Sequence, residues 1–266
     1  MSRLRLRLAA RVAVCLAALF ALAVAGYEVS ESPGNQIFGK TVVRGPSNQR
    51  VVALTYDDGP NPPYTDEILA VLRAENVRAT FFVVGRAVVA YPAVVRREVT
   101  QGNALGNHTW SHGHLVLYDE RGVRQTLERT DRAIYAATGI HTRIMRPPFG
   151  ARDWLVLREA RKLHYVPVMW SVPLPHDWEY PPAQVIATRV LRYAGDGAII
   201  ALHDGNQGIV CEGRRVSRRL CDRSADVGAT RLIIEALKRK GYRFVTIPEL
   251  LRLQGRATRT AYRASE

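Results

Sequence analysis

Cysteine is scarce in this sequence: three residues in 266, at positions 15, 211 and 221. So few exclude a disulfide-dense scaffold. A zinc knuckle is excluded too, because no histidine flanks the two later cysteines. Acidic residues are also in short supply, 24 against 38 lysines and arginines, which leaves a formal net charge of +14. The basic residues are not interleaved with aromatics in the manner of a nucleic-acid-binding motif, so no nucleic-acid partner is expected. Internal repeats and low-complexity tracts are missing, which excludes solenoids and repeat arrays. Long apolar runs are rare as well: VAVCLAALFALAVAG, residues 12–26, is short for a membrane-spanning helix.

What is present begins with that run. It follows Arg3, Arg5, Arg7 and Arg11 and ends in small residues at Ala23–Ala25. This is the pattern of an export signal, read as a signal peptide cleaved near residue 26, with an uncleaved membrane anchor as the alternative. Either way the expected localisation is exported, secreted or associated with the cell envelope. Losing those four arginines takes four from the charge and leaves +10, a basic protein suited to an anionic envelope polymer. Cys15 would leave with the signal. Cys211 and Cys221, ten apart in an Arg-rich loop, are then expected to form a disulfide in an oxidising compartment.

Residues 27–49 are polar, carry Gly and Pro, show no sustained periodicity, and read as a linker. Over residues 50–252, short β-branched runs alternate with helical patterns, as in VVALTY, TDEILAVLRAEN, ATFFVVG and on to GAIIALHD, ATRLIIEALKRKG and YRFVTI. That rhythm predicts an α/β fold with a parallel sheet or barrel. Residues 253–266 form a basic tail.

The unusual polar residues fall at the C-terminal ends of the predicted strands. Asp57 and Asp58 end the first in TYDDGP, His108 ends another, Arg146 ends TRIM, Asp177 follows VMWSV and His203 ends GAIIAL. In a parallel barrel those ends converge on one face. The four-residue spacing of HTWSH places His108 and His112 on one side of a helical turn, a spacing that suits two ligands of one metal ion but is also that of an ordinary surface pair. An acid brought alongside completes a His₂-carboxylate set with open positions for water. The second aspartate is then free to act as general base, held by the forked guanidinium of Arg146, while His203 is placed to protonate a leaving group.

In that order and spacing, TYDDGP, HTWSH and RPPFG resemble the first three motifs of the polysaccharide deacetylase family (the NodB-homology group, carbohydrate esterase family four), and KRKGYRFVTIPELL resembles its closing segment. The resemblance runs from about Val51 to Leu251. It implies a distorted (β/α) barrel and removal of N-acetyl groups from amino-sugar polymers; the basic composition, suited to an anionic wall, puts peptidoglycan ahead of chitin-like oligomers. It implies Asp57 as base, Asp58, His108 and His112 as ligands of one divalent ion, zinc with cobalt or nickel as alternatives, Arg146 supporting Asp57, and His203 as acid. Asp177 is expected to assist His203, and Trp178, Pro148, Phe149 and Ala201 to line the substrate side; the expected assembly is a monomer.

Two departures accompany the resemblance. The fourth motif keeps Asp177 and Trp178 but lacks its earlier acid, which would fall at Leu174 or Pro173. Ala201 replaces an apolar residue that is usually leucine, which opens acyl preference to question. Two other readings therefore stand beside N-deacetylation: hydrolysis of another amide or acetyl ester on the same fold, and a non-catalytic cell-wall-binding protein.

Overall fold

The computed structural model describes residues 12–18, 26, 28–211 and 217–255. Most of the export segment, the part of the Arg-rich loop at 212–216 and the tail from 256 lie outside the described residues. Among the described residues, no helix is long and apolar enough to cross a membrane.

Seven parallel strands form one curled sheet in the order β5-β4-β3-β2-β1-β6, with β7 paired to β1. They are β1 (Val51–Asp57), β2 (Thr80–Val83), β3 (Ala104–Asn107), β4 (Ile144–Met145), β5 (Val166–Pro167), β6 (Ala198–His203) and β7 (Arg243–Phe244). Every residue of β1 is buried, because β2 and β6 flank it and both of its faces are covered, which is why VVALTYD is apolar almost throughout. Alternation of side chains splits it between two cores. Val52, Leu54 and Tyr56 pack outward against helices Tyr64–Ala74 and Ser224–Arg239, with Ile68, Leu72 and Ile233 in the same cluster. Val51 and Ala53 point into the barrel with Phe82, Trp170, Ile199 and Ala201. Continuing the inner series brings Thr55 and then Asp57 to the same side. On β6 the series Ile199, Ala201, His203 does likewise.

The barrel is incomplete, matching the distorted form that the sequence implies. Between β5 and β6 there is no strand pairing; the backbone N–H groups of Ser171 and Val172 instead donate to the Ile199 carbonyl, at 3.1 and 3.4 Å. The helices begin and end where local chemistry dictates. Asp119 accepts from Gly122 N at the start of helix Glu120–Thr138, and Gly139 closes it in the left-handed region at φ 75°. Thr246 and Glu249 form a capping box on helix Ile247–Leu253.

Residues 27–49, expected as a linker, lie against the domain in their described part. Val42 is buried in the inner core, bridges Val168, and exchanges backbone hydrogen bonds with Pro167 and Met169 at 2.9 and 2.7 Å. Periodicity gave no sign of this because a single bridge has no repeat.

One buried group costs stability. Glu98, on helix Pro92–Thr100, has no exposed surface, and neither carboxyl oxygen has a hydrogen-bond partner. Burial pushes its pKa well above the usual 4.5. The unfolded chain therefore ionises first, so stability falls as pH rises from about 4.5 towards the folded-state value, by about 1.4 kcal/mol per pH unit. Glu98→Met is expected to raise the melting temperature at pH 8 by more than at pH 5; equal gains at both, followed by scanning calorimetry, would contradict this assignment.

Candidate metal and acid-base site

The first strand ends in a turn that separates its two acids. Asp57 is the last residue of β1, on the inner face, whereas Asp58 adopts φ 79° and swings to the side. The loop after β6 packs so closely on this turn that a Cβ at Gly59 would strike the Asp204 carboxylate, and one at Gly205 would strike the Asp58 carbonyl. Glycine is required at both positions for that reason.

Asp58 faces two imidazoles. Its Oδ1 lies 3.4 Å from His108 Nε2 and 3.1 Å from His112 Nε2, and the three donors sit within 4.8 Å of one another, all buried. Burial alone would raise the Asp58 pKa, but the adjacent imidazoles, His112 foremost, outweigh it and hold the carboxyl well below its usual range. His108 Nδ1 lies 2.7 Å from the Arg146 carbonyl, which can only accept, so Nδ1 carries the proton and Nε2 turns a lone pair to the cluster. Asp58 Oδ2 accepts from Gln207 N at 2.6 Å, while Oδ1 is buried with no hydrogen-bond donor. An orphaned carboxylate oxygen beside two imidazoles, one of them with its lone pair turned inward, fits a divalent cation. The donor set is the expected one, but HTWSH is not a helical turn: it follows β3 as a tight turn, with Thr109 at φ 68° and His112 at φ 57°. A spacing of four serves equally when a left-handed residue folds the chain back.

Asp57 is held by Arg146. Arg146 Nη1 donates to Asp57 Oδ1 at 2.7 Å and to Thr55 Oγ1 at 2.8 Å, Nε donates to the Val168 carbonyl at 3.2 Å, and Nη2 to that of Met169 at 3.1 Å. The guanidinium is fully buried, with the Phe82 ring beneath it at 4.2 Å. Four acceptors from two segments leave it no alternative direction.

His203 pairs across the β1–β6 ladder with Asp57. Asp177 Oδ2 accepts from the His203 backbone N–H at 2.8 Å, and both of its oxygens lie 2.9 Å from Nδ1. Burial lowers the imidazole pKa, but the charge and hydrogen bond of Asp177, helped by Asp58 and Asp57, raise it to about 10. Burial would raise Asp177, and the His203 charge overcomes it, leaving Asp177 below its usual value. Asp177 thus orients the histidine without the earlier fourth-motif acid. Replacing Asp177 with Asn removes the main influence raising His203, so the alkaline limb of any activity that needs the imidazolium should move to lower pH. A pH profile of kcat/KM with an unmoved limb would show that Asp177 does not set it.

The remaining expected residues are brought to the same rim, with one exception. Pro148 is buried in the turn that follows Arg146, and Phe149 next to it is half exposed at φ 59°, its ring edge-on to His112 at 4.6 Å. Trp178 is part-exposed and stands perpendicular to His203 at 5.6 Å. Ala201 is the exception: at 2% exposed it belongs to the barrel interior, two residues before His203, rather than to an open surface. Cys211 and Cys221 are bonded.

Sequence reasoning missed the polar residues that support these groups. Thr55 looked like part of an apolar strand. Gln207 contributes only a backbone N–H, and Arg86 holds its loop through the carbonyls of Gln207 and Gly208, at 2.7 and 2.9 Å. Asp226, buried beside Asp177, is raised well above its usual pKa by burial and by the Asp177 charge. Backbone donors and long-range partners leave no local pattern to read.

A family model described as polysaccharide deacetylase matches residues 44–168. A peptidoglycan-N-acetylglucosamine deacetylase of Bacillus cereus is 35% identical over 211 residues, covering 78% of this chain and 91% of the relative. A protein of the same description from Listeria monocytogenes is 35% identical over 209 residues, or 79% of this chain; the chain spans only 40% of that relative's length. Among solved structures, a crystal structure of a peptidoglycan N-acetylglucosamine deacetylase superposes with a TM-score of 0.71 at 33% identity, covering 79% of this chain and 92% of that one.

Proposed function

Because the chain belongs to the polysaccharide deacetylase family, we propose that it is an exported, metal-dependent hydrolase that removes N-acetyl groups from N-acetylglucosamine polymers, with peptidoglycan the leading substrate and chitin-like oligomers next. The observation that carries this is the pairing of Asp58, His108 and His112 with Asp57 and His203 on one sheet edge. The relatives' descriptions name peptidoglycan and chitooligosaccharides, and the basic composition suits an anionic wall. Export rests on the N-terminal signal pattern alone.

Asp58, His108 and His112 would hold the ion, zinc by donor set with cobalt or nickel admissible. When bound, it supplies Lewis-acid polarisation of the acetyl carbonyl and makes water more acidic. The chain's own groups carry the protons. Asp57, aimed by Arg146, takes one proton from the attacking water, whose oxygen bonds to the acyl carbon. His203, oriented by Asp177, gives its proton to the amide nitrogen as the carbon–nitrogen bond breaks, so that acetic acid, which ionises to acetate in water, and a free amine leave. Return of the proton held by Asp57 to His203 restores both groups before the next turnover. A binding module has no need for the Arg146–Asp57 and Asp177–His203 pairs, which weighs against the non-catalytic reading.

The test is acetate release from N-acetylglucosamine oligomers and purified peptidoglycan, with zinc and with chelator. Release that stops on chelation and returns with metal is expected. Release only from an O-acetyl ester would replace this reading with esterase activity, and no release from any acyl substrate would refute catalysis.

A further inference from the structure

Residues Glu28–Asn35 precede the region matched by the family model, yet they are fastened to the loop that carries Phe149. Arg152, two residues beyond Gly150 and 1% exposed, does the fastening. Its Nη2 donates to the carbonyls of Ser32, Pro33 and Asn35 at 2.8, 3.2 and 2.6 Å, its Nη1 to that of Gly150 at 2.9 Å, and its backbone N–H to that of Ser30 at 3.1 Å. The approach is close enough that a Cβ on Gly150 would meet the Glu31 carbonyl. A buried guanidinium satisfied mainly by backbone carbonyls of one segment fixes that segment's path.

The path leads to the site. His114 Nε2 lies 2.9 Å from Glu31 Oε1, and since a carboxylate can only accept, the imidazole donates. His114 stacks on Phe149 at 5.1 Å, and Phe149 is edge-on to the ligand His112. Between the segment and the strand-end loop lies a cavity of about 470 Å³, lined among others by Glu28, Glu31, Pro33, Phe149, Trp170 and Leu174. Its lining is mostly apolar with a few carboxylate and hydroxyl groups at the edge, the surface that a pyranose ring fits, stacking its C–H face and bonding its hydroxyls.

We propose that Glu28–Asn35 is a wall of the substrate cleft, docked by Arg152, and that Glu31 is a positioning residue which, through His114, sets the Phe149 ring for a sugar unit next to the one that reacts. This rests on the polymer substrate proposed above. The segment is thereby part of the catalytic module and a determinant of chain-length preference.

The experiment compares full-length, zinc-loaded protein with Glu31→Ala on monomeric N-acetylglucosamine and its tetramer. For the tetramer, KM is expected to rise about tenfold, the loss of one hydrogen bond to a charged group, with kcat within about twofold. Monomer KM should change little, and Glu31→Gln, whose amide oxygen still accepts from His114, should recover most of the loss. An equal loss on both lengths, a fall in kcat at unchanged KM, or no change overturns the proposal. Should the parent release no acetate from the tetramer, the function above fails, and calorimetry reads the wall on its own: tetramer affinity about tenfold weaker in Glu31→Ala supports it, whereas equal affinity, or no tetramer binding by the parent, overturns it.

Discussion

Asp57→Asn is expected to lower acetate release from N-acetylglucosamine oligomers by about 10²- to 10⁴-fold in kcat, with zinc content and fold unchanged. The size follows from what the substitution removes. Asn keeps the shape and an oxygen for Arg146 Nη1, so the 2.7 Å contact survives in weaker form, but an amide cannot take a proton from water. Asp58, His108 and His112 keep their own geometry, since none of them bonds to the Asp57 side chain. A stopped acetate assay beside metal analysis of the same preparation decides it. Activity within tenfold of the parent would mean that another group accepts the proton; lost zinc would mean that Asp57 belongs to the metal site instead.

Arg146→Met is expected to be the most destabilising single change at the site, by about 3–5 kcal/mol, because it leaves a buried carboxylate without its counter-charge. It also strands Thr55 Oγ1 and the Val168 and Met169 carbonyls, each an acceptor of this guanidinium. Activity should fall with it, for the base is no longer aimed. Arg146→Lys separates the two effects: it keeps a positive charge near Asp57 but cannot donate in four directions, so most of the stability returns and less of the rate. Urea denaturation paired with initial rates measures both. Parent-like stability in Arg146→Met would show that Asp57 finds another partner.

The legible part of this molecule was the part written in contiguous residues. β1 announced itself as an apolar run closed by acids, and β6 as another closed by histidine, because a strand buried on both faces has few apolar-to-polar alternations until it reaches the site. The second half of the barrel was harder. YVPVMWSV suggested a full strand, yet pairing with β4 covers Val166 and Pro167 alone; after Val168 N–H donates to the Met145 carbonyl, the chain bonds across to Val42 and Ile199 instead. The supporting shell was not legible. Arg152 acts on carbonyls, Gln207 acts through an amide, and Glu31 meets His114 across 83 positions of sequence; none of these leaves a motif.

The adjacency of Asp57 and Asp58 bears on how the site fails. Their Cα atoms are one peptide apart, about 3.8 Å, a distance set by covalent bonds that thermal motion cannot change. His203 reaches the same place only through the β1–β6 hydrogen-bond ladder. As the protein is warmed towards unfolding, the separation of Asp57 from His203 therefore loosens while the Cα separation of Asp57 from Asp58 does not. His108 and His112 likewise reach Asp58 only through the pairing of β1, β2 and β3, so on heating both the His203 side and the two-histidine side of the site should loosen before the spacing of the two aspartates does.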